Sequence, residues 1–154
     1  MKIINIASNN SVWRGLDYYK EKKIKKYKKI SDYEYEAVAL GSDKNSYNVF
    51  LDIEHPRKSK CDCPHAKDKR IICKHIVALY FTMFPKEVDV FLKEVEEAQN
   101  EYEDYKGKLY NKTIKHINKM SKKELEESLI YILNISPDWI YDKFVREYVG
   151  FNVD

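Results

Sequence analysis

Every cysteine in the chain falls within thirteen residues, as Cys61-Asp62-Cys63 and then, after nine intervening residues, Cys73-Lys74-His75. Three thiols and an imidazole in two tight X-x-X pairs have the number and type of ligands of a closed tetrahedral zinc site. Residues i and i+2 of an extended segment project to one side, so Cys61 and Cys63 can face one ion with Asp62 turned away. Cys73 and His75 sit where a loop passes into an apolar helix, and residues two apart converge there as well. Closing the loop between the pairs costs about a few kcal/mol on logarithmic scaling. Metal binding in small zinc modules returns on the order of 10–16 kcal/mol, which covers that cost.

Ordinary buried thiols would not need to cluster in this way. A Cys61–Cys63 redox pair would close a strained ring and leave Cys73-x-His75 unexplained. His65, two residues past Cys63, is the alternative fourth ligand. Pro64 distorts the chain beside it, whereas His75 opens a helix that would anchor it, so His75 is the better candidate. His55 and His116 have no partner in sequence and are expected on the surface. Four good ligands, three of them thiolates, leave no open position for substrate. The chain also has no His-Glu-x-x-His, Gly-rich phosphate loop or Gly-x-Ser-x-Gly. The expected metal is one structural Zn²⁺ per chain, and no enzymatic activity is expected.

An odd number of cysteines argues for a reducing compartment and metal ligation rather than disulfides. Met1 to Asn5 runs into polar Ser8-Asn9-Asn10 without the apolar core of a secretory leader, and Ile76 to Phe84 is too short to span a bilayer. A cytoplasmic protein without membrane association is expected. The net charge of +3 is unevenly spread. Residues 1–75 carry 17 Lys+Arg against 10 Asp+Glu, and residues 76–154 carry 11 against 15. A polyanion partner for the first half follows from that asymmetry. Lys accounts for 24 of the 28 basic residues, a bias that an AT-rich coding sequence would also produce.

Ser11 to Lys20 reads as a short Ser-capped helix with Trp13, Leu16 and Tyr19 at helical spacing. Lys22 to Ile30 fits either a helix or a strand. Tyr33 to Leu40 alternates, with Tyr33, Tyr35, Ala37 and Ala39 on one face. After a polar turn at Gly41 to Ser46, Tyr47, Val49, Leu51 and Ile53 alternate again, so the two runs predict an antiparallel hairpin. Cys73 to Phe84 predicts a buried helix, ended by Pro85. Beyond it come helices: a Val88/Phe91/Leu92/Val95 stripe, a capping box at Ser121 to Glu124 followed by Leu125, Leu129, Ile132 and Leu133, and a Ser136-Pro137 start closed by Gly150. The expected fold is α+β: a small antiparallel sheet with a zinc-tied loop and following helix over 1–84, then a helical region over 85–154.

This pattern of Cys-x-Cys and Cys-x-His, with a hairpin before and an apolar helix after, resembles the SWIM zinc finger. Trp13-Arg14-Gly15-Leu16-Asp17-Tyr18-Tyr19 is similar to the Arg-Gly segment that opens many bacterial and archaeal members. Tyr35 to Ser42 with Tyr47-Asn48-Val49 resembles their hairpin, and Cys73-Lys74-His75-Ile76-Val77-Ala78-Leu79 resembles the family's most recognisable run. The resemblance implies that Lys22–Ile30 is a strand and that Cys61, Cys63, Cys73 and His75 are the zinc ligands. It also implies DNA binding or protein–protein interaction. No helicase-type ATPase or transposase segment, to which many such fingers are attached, is visible, so no motor or nuclease activity is expected.

Two functions follow from these residues. In the first, Arg57, Lys58, Lys60, Lys67, Lys69, Arg70 and Lys74 form a basic surface around the metal that binds DNA or another nucleic acid. Tyr27, Tyr33 and Tyr35 interleave with basic residues, as single-strand stacking would need. In the second, the finger and its acidic helical tail form an adaptor for a protein partner.

Overall fold

The computed structural model describes residues 2–42 and 45–150, so Asp43 and Lys44 of the expected turn lie outside the described residues. The chain forms two units, Met1–Glu97 and Ala98–Asp154. The first is α+β, as expected. Helix α1 (Asn9–Lys20) leads into an antiparallel sheet of β1 (Ile24–Lys29), β2 (Glu34–Leu40), β3 (Ser46–Asp52) and β4 (Lys60–Cys61), ordered β1-β2-β3-β4. Helix α2 (Lys74–Met83) follows, and then α3, which runs from Pro85 to Ile117.

Alternation along the strands decides which face is covered. Tyr35, Ala37 and Ala39 of β2 and Val49 and Leu51 of β3 are buried with Leu16 of α1 and Ile76, Val77, Leu79 and Phe81 of α2. Tyr33 misses this face because it precedes β2, and it is exposed. The β2–β3 hairpin is in continuous register from Glu34↔Asp52 to Leu40↔Ser46. Lys22–Ile30 resolves to a strand over Ile24–Lys29, whose register with β2 shifts between Lys25 and Lys28. Lys26 takes a positive φ of 47° there, the local kink of a bulge. Only Ile24 of β1 is buried, so this lysine-rich strand is tied in by its first residue.

Helix α1 starts earlier than Ser11. Ser8 is its N-cap, and its hydroxyl accepts the Ser11 amide at 3.2 Å. The buried face is Val12, Gly15, Leu16 and Tyr18, while Trp13 is partly exposed and meets Phe91 of α3 edge-on at 5.3 Å. Gly15 lets α1 and α2 approach closely. A Cβ there would lie 2.5 Å from Val77 Cβ.

In the second unit, α4 (Lys122–Ile135) carries the predicted capping box, with both hydrogen bonds between Ser121 and Glu124 made. Ser136 ends α4 rather than starting the next helix, and Pro137 precedes α5 (Asp138–Phe144). A π-helical turn over Val145–Val149 is closed by Gly150 at φ 84°. Among the described residues of 98–150, none is buried. Gly107 lies inside α3, and a Cβ there would meet nothing within 4 Å. Gly107→Ala is therefore expected to raise helix stability by roughly 0.5–1 kcal/mol, through propensity alone. Helicity followed against temperature by circular dichroism checks the sign.

Candidate metal centre

Strand β4, the loop after it and helix α2 bring the sulfurs and the imidazole together. Cys61 ends β4, where it pairs with Val49. Asp62 turns away from the cysteines, and its carboxylate accepts the Asn48 backbone amide and the Asn48 side-chain amide, both at 2.9 Å. This bidentate clamp holds the Cys-x-Cys segment against β3. The turn before β4 is fixed by two buried polar residues. Ser59 Oγ accepts the Asp52 amide at 3.0 Å, and the Asp52 carboxylate accepts the His55 amide at 2.6 Å. After Cys63, its carbonyl accepts the amides of Ala66 and Lys67, which curls the loop back towards α2. Cys73 is the N-cap of α2, and His75 lies in its first turn.

The four ligand atoms of Cys61, Cys63, Cys73 and His75 lie within 4.8 Å of one another, and all four residues are buried. His75 Nδ1 is 3.6 Å from Cys61 Sγ and 3.9 Å from Cys73 Sγ. Zinc–sulfur and zinc–nitrogen bonds of about 2.3 and 2.0–2.1 Å at tetrahedral angles put sulfur and nitrogen about 3.6 Å apart. The donor set therefore fits one zinc ion in both chemistry and spacing. His65 is exposed and outside this cluster, and His55 and His116 are exposed as expected.

The charge state of the thiols points the same way. The Cys73 thiol is pulled down to about 4, first by a hydrogen bond from Cys61, with His75 and the Ile76 amide adding to it. As that bond's donor, Cys61 is pushed well above the usual thiol range, and its burial pushes further. Burial, then the charge on Cys73, raises Cys63. Without a cation the protein's own groups stabilise one thiolate and hold the other two protonated. Zinc, when bound, supplies the positive charge that lets all three ionise and joins β4, the loop and α2 at one point.

Residues 47–83 match the SWIM zinc finger family. The matched span holds β3, β4, the loop and α2, and so contains all four candidate zinc ligands and their Asn48–Asp62 clamp. It begins after α1, β1 and β2, which pack beneath the finger but lie outside the match. Neither the curated proteins nor the solved structures contain a match to the chain.

A hydrogen bond usually orients a metal-ligating histidine through its second nitrogen. In the matched segment His75 Nε2 is buried without a partner among the described residues. Aromatic packing takes over that role: the Tyr47 ring stacks on the imidazole at 4.9 Å, and the Tyr18 ring meets it edge-on at 5.3 Å. Gly41 makes room for Tyr47, since a Cβ there would come within 2.6 Å of the tyrosine ring. Neither tyrosine is legible from the ligand pattern. Alternation places Tyr47 on the inward face of its strand, but Tyr18 lies off the expected Trp13/Leu16/Tyr19 stripe and carries no such signal.

Six of the seven predicted basic residues line one groove of about 1110 Å³ beside the finger: Arg57, Lys58, Lys60, Lys67, Lys69 and Arg70. Lys74 stands apart. It lines a smaller cleft of about 300 Å³ with Arg14 and His65, and its Nζ lies 4.3 Å from the Tyr18 ring centroid. Tyr27 and Tyr33 are exposed, while Tyr35 is buried in the core and is not free to stack on a base. No helix among the described residues is long and apolar enough to cross a membrane.

Proposed function

We propose that this protein is a non-catalytic zinc-binding module that binds nucleic acid along the groove beside the finger. The supporting observation is a difference between the cations and anions that line it. Four of its five acidic residues are engaged: Glu36 pairs with Lys28 at 3.1 Å, Glu34 accepts the Ser31 hydroxyl, Asp52 accepts the His55 amide and Asp62 accepts Asn48. Among the described residues, none of the six groove cations forms an ion pair. The hydrogen bonds leave the carboxylates charged but hold them in place, whereas Glu36 is offset by Lys28. Six free cations therefore face four uncompensated acidic residues, and the groove keeps a modest net positive charge that a phosphate backbone would meet. Phe50 lies in the groove floor and offers one apolar surface among the cations.

Phosphate contacts release counterions, so binding should depend steeply on salt. If about five phosphates are neutralised on duplex DNA, log K falls against log salt with a slope near −4 to −5, and affinity drops roughly two to three orders of magnitude from 50 to 200 mM. Lys67→Glu, Lys69→Glu and Arg70→Glu together should flatten that slope by about three. Fluorescence-anisotropy titrations of zinc-loaded protein with single- and double-stranded oligonucleotides read both numbers. Absence of binding at low salt, or a slope unmoved by the triple variant, would overturn the proposal.

A further inference from the structure

Helix α3 carries an apolar stripe that outlasts its partner. Val88, Phe91, Val95, Ala98, Tyr102, Tyr105 and Leu109 recur at alternating three- and four-residue steps over three heptads, the seam spacing of a coiled coil. The start of this seam is covered: Val88 is buried, and Phe91 packs on Trp13 and Phe81. From Ala98 onward the same seam is exposed, with Tyr102, Tyr105 and Leu109 open to solvent.

The charges along the exposed part of α3 are sorted, and the line beside the seam follows the same order: Glu94 and Glu101, then Lys108 and Lys115. Residues 94–104 hold six Asp and Glu and no Lys or Arg, whereas 105–117 hold four Lys and no Asp or Glu. Within each block the i,i+4 neighbours repel, as at Glu97/Glu101 and Lys108/Lys112, which works against an isolated helix. The pairs that α3 does make sit where opposite charges meet, Asp104–Lys108 at 2.6 Å and Lys93–Glu97 at 3.6 Å. The helix dipole does not account for the sorting, because its effect fades within the first and last turns and the acidic block begins nine residues into α3.

We infer that α3 pairs antiparallel with α3 of a second copy of this chain, burying Ala98, Tyr102, Tyr105 and Leu109 and setting Glu94 and Glu101 against Lys115 and Lys108 of the other copy. A two-fold interface requires residue i to meet j and j to meet i, and an acid-then-base order near Tyr105 is self-complementary in that sense. Parallel pairing would keep only Glu101 opposite a lysine, Lys106, and would run the two acidic stretches side by side, so the charge order selects the antiparallel direction.

Light scattering coupled to size exclusion, on zinc-loaded full-length protein from micromolar to hundreds of micromolar, should give twice the chain mass of 18.4 kDa. One variant carries Lys108→Glu and Lys115→Glu, and the other Glu94→Lys and Glu101→Lys. Each alone should dissociate at least tenfold more readily than the natural chain. An equimolar mixture of the two should restore the dimer, which also shows that both variants fold. For direction, Glu94→Cys chains mixed with Lys115→Cys chains should cross-link to each other and not to themselves. A monomer at every concentration, a dimer insensitive to both charge reversals, or cross-linking of Glu94→Cys to itself would each overturn the inference.

Discussion

Cys73→Ser is expected to abolish zinc binding and to unfold the Met1–Glu97 unit while much of the helical signal from the second unit persists. Cys73 is placed for a large effect. Its side chain is almost wholly buried, it caps α2, and its sulfur carries the charge stabilised by Cys61 and His75. Serine keeps the cap but is a far poorer zinc ligand, so the loss falls on the metal bond rather than on the helix start. Zinc contributes on the order of 10–16 kcal/mol in small modules, against a total stability of about 5–15 kcal/mol for a typical domain. Removing it therefore exceeds what the core of α1, α2 and the sheet holds in reserve. Thermal unfolding by circular dichroism, with zinc content measured on the same sample, reads both effects. A melting curve that matches the natural chain would show that the metal has no structural role.

Gly15→Ala is expected to destabilise the same unit, although the substitution sits inside a helix where alanine is ordinarily the better residue. A Cβ at Gly15 would lie 2.5 Å from both Val77 Cβ and Val77 Cγ1 and 3.1 Å from the Lys74 carbonyl oxygen. Val77 is β-branched, fully buried and unable to swing aside, and Lys74 is held by the ligands on either side of it. Overpacking of this kind costs typically 1–3 kcal/mol and sometimes more, against a helix-propensity gain of about 1 kcal/mol. With contact to backbone as well, the net loss should be about 2 kcal/mol, a fall in melting temperature of roughly 8–16 °C for a unit of this size. Val77→Gly removes both offending atoms, so a double-mutant cycle should show favourable coupling of about 1 kcal/mol or more. Gly15→Ala and Gly107→Ala thus make the same chemical change within helices with opposite expected signs. A stabilising Gly15→Ala would mean that α1 and α2 are not in close contact at this point.

What could be read from the residues divides along physical lines. The four ligands were legible because ligation demands residue types at fixed spacing, and few other arrangements use them. The β2–β3 hairpin was legible because one covered face imposes a period of two on Tyr35, Ala37, Ala39, Val49 and Leu51. The α1 contact was not, because hydrophobic periodicity points to Trp13, Leu16 and Tyr19 and is blind to a glycine whose role is to be small. The Asn48–Asp62 clamp and the Asp52–Ser59 hook were also hidden. Polar residues next to turns read as solvated until their partners are known. Lys74 counted as one more cation in a cluster, yet its position on α2 turns it towards Tyr18 and away from the other six. Tyr35 interleaves with basic residues in sequence, but strand alternation carries it into the core.

A metal ion that joins β4, the zinc loop and α2, and through them the sheet and α1, explains why a small core suffices. Elemental analysis of freshly purified, reduced protein, paired with thermal unfolding before and after a strong chelator, examines that directly. One zinc per chain is expected, with the transition of the Met1–Glu97 unit lost on chelation and regained when zinc is returned. Metal-free protein with the same cooperative transition, unchanged by chelator, would contradict it.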